Sequence, residues 1–241
     1  GFMPGTLKTE AVVLRSIRFG EADRILHLYS TARGRIGAIA KGARRPRSRF
    51  GGRLEPFFRL DLILHEGRGD LATVTSAATV DGYPGLRSSG PAIAAAARGC
   101  DAVLRLLDAA EPNPPGYNLL CRYLALLDGP DAAAPRLETA LAFRLKLALA
   151  AGFSPELAFC TRCGEAEHLS GFSGAAGGVV CSGCEHGSFE LSSQAHRFMV
   201  DALGSPLAEA PEAGERALRQ VERAVSETLE HHAHVQLRAV A

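Results

Sequence analysis

Four of the six cysteines fall in two matched pairs, Cys160-Thr-Arg-Cys163 and Cys181-Ser-Gly-Cys184, separated by 17 residues. Each C-x2-C pair can turn two thiolates toward one ion, and two such pairs complete a tetrahedron. The spacing therefore predicts a four-cysteine module, inserted at about residues 155–190, that holds one structural Zn2+ through Cys160, Cys163, Cys181 and Cys184. Four sulfur ligands close the coordination sphere, so the site is expected to build structure and to do no zinc chemistry. The insert carries few large apolar residues (Phe172, Val179, Val180 and Phe189), and metal is expected to supply much of its cohesion. Gly164 and Gly183 suit the tight turns beside the ligands. A redox disulfide pair is the rival reading, and His168 or His186 is close enough to replace a cysteine. Cys100 and Cys121 sit on apolar helix stripes and read as buried thiols. His231, His232 and His234 read as a solvated helix end, where positive charge is favoured.

Charge is the second constraint. The net charge of the 241 residues is only +1, but residues 1–80 hold 14 Lys+Arg against 7 Asp+Glu. The remainder holds 13 basic and 19 acidic residues, so a basic third precedes an acidic body. That asymmetry points to a polyanionic partner for one part of the chain. Only Lys8, Lys41 and Lys146 are lysines, and arginine suits bidentate phosphate contact. Within the basic third, residues 41–53 carry six basic residues and no acid. Gly42, Pro46, Gly51 and Gly52 make this stretch a loop. Lys41, Arg44, Arg45, Arg47, Arg49 and Arg53 are the predicted phosphate contacts, with Arg15 and Arg35 extending the patch if they face outward. Phe50 either stacks on a base or anchors the loop.

Five short runs with glycine turns fill residues 6–80: 10–18, 24–30, 35–40, 58–65 and 70–75. The alternation of Phe58, Leu60, Leu62 and Leu64 is the clearest strand signal. The count predicts a small barrel over residues 4–82, best matched by a five-stranded OB-type barrel, with an SH3-like barrel as the alternative. From Pro84 the period becomes helical, with expected helices near 91–110, 117–127, 135–151, 193–203 and 211–232. Pro112, Pro114 and Pro115 are read as breakers. The fold class is thus multidomain α+β: an N-terminal OB-fold β-barrel, then an α-helical bundle over 83–241 with the four-cysteine zinc module inserted. No apolar run reaches the length of a membrane span, and no secretory signal follows Met3, so a cytoplasmic, nucleoid-associated protein is expected. Gly1 and Phe2 precede that methionine and read as a scar outside the fold. No Ser/His/Asp, P-loop or paired-carboxylate pattern occurs, which argues against an enzyme.

The run Glu10-Ala-Val-Val-Leu-Arg15 is followed by Gly20-Glu-Ala-Asp-Arg24, Gly34-Arg35, Ala40-Lys-Gly-Ala-Arg-Arg45 and Leu54-Glu-Pro-Phe57. With the later helices and the cysteine pairs, this order of motifs resembles the RecO family of bacterial DNA repair proteins. The resemblance spans nearly the whole chain and is most specific over 10–58. It implies a recombination mediator that binds single- and double-stranded DNA and anneals complementary strands. It also implies action with RecR to displace single-strand-binding protein, so that RecA loads. The family brings no catalytic residue, and some members lack the cysteines. The acidic, apolar tail of single-strand-binding protein would suit an arginine beside an apolar groove, for which Arg122 and Arg144 are the candidates. A second reading makes the chain an adaptor for RecR and single-strand-binding protein, with incidental DNA affinity.

Overall fold

The computed structural model describes residues 5–130 and 135–240. Five strands, Thr6–Phe19 (β1), Asp23–Ser30 (β2), Gly34–Ala40 (β3), Arg59–His65 (β4) and Ala72–Asp81 (β5), close a barrel in the order β1-β2-β3-β5-β4. The meander of β1–β3, the crossover to β4 and the parallel β3–β5 closure make this an OB-type barrel. β1 is long because it has two partners: residues 6–12 pair with β4 and residues 11–19 with β2. β5 runs to Asp81, past the expected end at Thr75, through a small-residue stretch without alternating bulk. A register shift between Ile63 and Leu64 lets that stretch keep pairing.

Alternation fills the barrel. Leu26, Leu28, Ala38, Ala40, Leu60, Leu62, Leu64 and Val74 point inward and are buried. Phe50 and Leu54, both 2% exposed, reach into the same core from the β3–β4 connection. That connection is a chain of turns: the N–H groups of Arg45, Ser48, Gly51, Arg53 and Glu55 each donate to the carbonyl three residues back.

The chain divides into two compact units, residues 1–133 and 134–241. Pro84–Arg87 (α1), Gly90–Leu106 (α2) and Pro114–Leu127 (α3) belong to the barrel's unit. The helical region expected as one bundle is therefore shared between the two units. Pro114 and Pro115 do not break a helix; they open α3. Asn113 caps it by accepting from the Gly116 N–H at 3.0 Å, and a first-turn proline sacrifices no intrahelical bond. Glu10 accepts from Tyr117 of α3 at 2.8 Å and from Arg59 of β4, tying helix to barrel.

The second unit holds Leu137–Ala150 (α4), the strands Leu169–Ser173 (β6), Gly178–Cys181 (β7) and Phe189–Glu190 (β8), then Ser193–Gly204 (α5) and Glu215–His232 (α6). Gly152, at φ +86°, ends α4: the Phe153 N–H reaches the Ala148 carbonyl at 2.8 Å and the Gly152 N–H reaches Leu149 at 3.0 Å. Pro135 lies just outside that helix, because Arg136 is its N-cap. β6 is the centre of a three-stranded sheet, β7-β6-β8.

Candidate nucleic-acid interface and metal centre

The β3–β4 connection is bolted to the β1–β2 turn. The Asp23 carboxylate accepts from the Gly42 N–H at 2.7 Å, and the Ala22 carbonyl accepts from the Arg44 N–H at 2.9 Å. The Arg44 guanidinium donates to the Asp23, Gly20 and Phe19 carbonyls. Arg44, expected as a phosphate contact, has its guanidinium committed to holding this turn. Arg53 donates to the Arg49 and Ala77 carbonyls, and Arg49 lies 5.0 Å over the Phe50 ring. Lys41, Arg45 and Arg47 are exposed and form no ion pair among the described residues. The predicted patch is thus split between cations that build the connection and cations that project from it. Phe50 is the anchor, and its burial removes it from base stacking.

Arg15 is exposed and Arg35 half-buried, both at outward register positions. Between them on β2 lies His27, paired with Arg15 and Gly37. Its pKa is lowered by burial, then by the charges of Arg35 and Arg15. Ile17 and Phe19, 37% and 49% exposed, share this outer face. The sequence reading passed over them because it took 10–18 as a strand without assigning its faces.

The four cysteines converge. Their sulfurs all lie within 4.8 Å of one another, and Cys163 and Cys181 are 3.6 Å apart. Tetrahedral zinc thiolates, with Zn–S near 2.3 Å, place their sulfurs roughly 3.8 Å apart, so the donor set fits. Gly164, at φ +79°, turns the first knuckle, where its N–H meets the Cys160 carbonyl at 2.9 Å. In the second knuckle Gly187, and not Gly183, takes the left-handed conformation. Burial raises the Cys160 thiol, but the N–H groups of Cys181, Arg162 and Cys163 outweigh it and bring it down to about 6. The neighbouring Cys181 and Cys163 sulfurs push Cys184 up to about 12. One thiolate forms readily here, and the four sulfurs together could hold a metal ion.

His168 and His186 are exposed and lie outside the sulfur cluster. Arg162, absent from the sequence reading, spans the knuckles: between the two cysteines of the first, it donates to the Cys184 and His186 carbonyls of the second. Cys100 is buried, and burial pushes its thiol up to about 12; Cys121 is also buried. His231, His232 and His234 are exposed, as expected, and His232 also contacts the Gly174 carbonyl at 2.9 Å. Arg144, a candidate for an acidic tail, is 4% exposed and donates to the Arg238 carbonyl, which removes it from any surface groove. Arg122 is exposed on α3. No helix among the described residues is long and apolar enough to cross a membrane.

Two family descriptions match the chain in series: "Recombination protein O N terminal" over residues 3–83 and "Recombination protein O C terminal" over 87–240. A DNA repair protein RecO from Rubrobacter xylanophilus is 39% identical over 225 residues, covering 90% of this chain and 89% of the relative. One from Anaeromyxobacter dehalogenans is 35% identical over 234 residues, covering 94% and 91%. A third, from Pelotomaculum thermopropionicum, is 41% identical over 180 residues, covering 73% and 68%. With an OB-type barrel and a clustered four-cysteine site beneath matches of this extent, the chain belongs to the RecO family of DNA repair proteins.

Proposed function

We propose that this chain is a non-enzymatic recombination mediator that grips DNA through the β3–β4 connection of its barrel. The observation that carries the reading is the exposure of Lys41, Arg45, Arg47 and Arg49 on a connection anchored by Phe50 and Leu54. Cations held at a fixed surface without acidic partners gain counterion-release free energy from any phosphate backbone and need no base geometry. Such a grip takes single and double strands alike, and it lets two bound strands find each other and anneal. The four cysteines hold one structural Zn2+, which supplies cohesion to the module. Cytoplasmic action with RecR, displacement of single-strand-binding protein and indirect loading of RecA complete the proposal, on the family membership.

The test is a salt titration of binding to single-stranded and duplex oligonucleotides. With about four to six phosphates neutralised, the log–log slope on single strands is roughly −3 to −4. Replacing Arg45, Arg47 and Arg49 by alanine lowers that slope by roughly 2, at about 0.7 per lost contact. Arg44 is left in place because it holds the turn. Unchanged affinity and slope would remove the connection from the interface. Annealing by the purified chain alone separates a DNA-binding mediator from an adaptor, which needs its partner present.

A further inference from the structure

A bulge in β1 re-aims the outer face of the barrel. Up to Val13 the odd-numbered residues point inward, and Ala11 and Val13 are in the core. The register shifts between Val13, opposite Leu28, and Arg15, opposite His27. Leu28 is a core residue and His27 is not. The extra residue, Leu14, therefore swings Arg15, Ile17 and Phe19 outward, as bulges do. Without it the same residues would enter the barrel.

The outcome is an apolar strip bordered by cations. Ile17 pairs with Ile25, and Ile25 with Ile39, giving a row of three isoleucines across β1, β2 and β3. Phe19 continues the strip at the end of β1, where its carbonyl accepts from Arg44. The neighbouring row is Arg15, His27 and Gly37, with Arg35 further along β3 and Lys41 just beyond it. Gly37 makes room for the Leu71 side chain, which lies over that end of the row: a Cβ at Gly37 would be 2.9 Å from it. The outward positions of β1–β3 from 15 to 19, 25 to 27 and 35 to 39 hold no carboxylate. Asp23, opposite Phe19, has its carboxylate bonded to the Gly42 N–H.

We infer that this strip is a base-stacking platform for an unpaired nucleic-acid strand, with Phe19 as the stacking residue and Ile17, Ile25 and Ile39 as its floor. The inference rests on the proposed DNA grip and adds what the grip lacks, a means of telling a single strand from a duplex. A duplex buries its base faces and offers the strip nothing, whereas an unpaired strand offers an apolar face at each nucleotide. The cations beside the strip match a polyanion. They oppose an isologous contact with a second copy, which would set Arg15, Arg35 and Lys41 against their own kind.

The test compares Phe19→Ala with the wild-type chain on a fluorescent oligothymidine strand and on a blunt duplex of equal length. Phe19 is half exposed, so the variant keeps its fold, which a thermal melt verifies. Single-strand affinity falls roughly 5- to 100-fold, the size of one base–aromatic contact, while duplex affinity and both salt slopes hold. Phe19→Trp restores single-strand binding. Unchanged single-strand affinity, or an equal loss on both ligands, overturns the inference, as does a change in oligomeric mass without a change in single-strand binding. The arginine variants of the β3–β4 connection report separately: they lower the slope on both ligands, so failure of the grip and failure of the platform are distinguishable.

Discussion

The barrel and the cysteine module solve the same problem by opposite means. The barrel closes a ring of strands around Leu26, Leu28, Leu60, Leu62 and Leu64, with Phe50 and Leu54 reaching in from the connection. Each fully buried side chain of this kind contributes about 1.5–3 kcal/mol, and no single one is indispensable. The module has three short strands, the buried Phe172, Val179 and Val180, and four sulfurs at one point. Its cohesion is concentrated where the barrel's is spread. The barrel should therefore fold unconditionally and the module only with its ion. The two can be broken one at a time.

Metal removal is the largest expected effect. Structural zinc contributes roughly 10–16 kcal/mol of apparent binding free energy in small modules, more than a sheet of three short strands can replace. Stripping the metal with a strong chelator, or replacing Cys160 and Cys163 by serine, should drive the amides of β6–β8 to near-unfolded hydrogen exchange. The amides of β1–β5 should keep their protection. Protected β6–β8 amides in metal-stripped protein would erase the contrast. The reverse experiment is Phe50→Ala, which removes an aromatic ring from the barrel core and should cost about 3–5 kcal/mol. It should lower the denaturant midpoint of the barrel and leave metal content unchanged. A loss below about 1 kcal/mol, small for a buried aromatic, would mean that the connection is not anchored through that ring.

How much of this was legible in the sequence follows the same division. The cysteine cluster could be read because spacing alone limits what two C-x2-C pairs can do, and the four sulfurs do converge. The barrel could be read from the alternation of Leu60, Leu62 and Leu64, but strand counting did not separate OB from SH3-like closure; the β1-β2-β3-β5-β4 order does. The bulge was missed. Ala11 to Leu14 is apolar throughout, and such a run has no period until its partners are known. Pro114 was misread because proline both ends helices and starts them, and only Asn113 in front of it decides which. The roles of the arginines were the least legible. Arg44, Arg45 and Arg144 are identical letters, yet one clamps a turn, one projects to solvent and one is buried. Those assignments depend on carbonyls far along the chain.

Arg162 sharpens the contrast on the module's side. It bridges the two knuckles outside the sulfurs, through the Cys184 and His186 carbonyls. Outer-shell partners of metal ligands typically contribute 10- to 100-fold in metal affinity. Arg162→Ala should weaken zinc retention by about that factor in competition with a chromophoric chelator. Arg162→Lys should restore part of it, because one nitrogen, Nη1, meets both carbonyls and a lysine ammonium also carries several donors on one nitrogen, though on a shorter stem. Full retention in Arg162→Ala would leave the sulfurs as the module's sole fastening.

The smallest effect belongs to the barrel's outer face. His27 sits in the Arg15 row of β1–β3, and burial, then Arg35, then Arg15 hold its pKa below the ordinary 6.5. The folded chain therefore binds fewer protons at this site than the unfolded chain. Stability contributed by neutral His27 is present above pH 6.5, is lost as pH falls through that value, and levels off below the lowered folded pKa. A phosphate bound beside Arg15 and Arg35 reverses the local field and favours the imidazolium. Single-strand affinity should then rise over the same pH window in which barrel stability falls. His27→Gln should flatten both profiles, read as denaturant midpoint and as oligonucleotide affinity at fixed salt. An affinity profile that keeps its pH dependence in His27→Gln would place the bound phosphates away from this row and confine the grip to the β3–β4 connection.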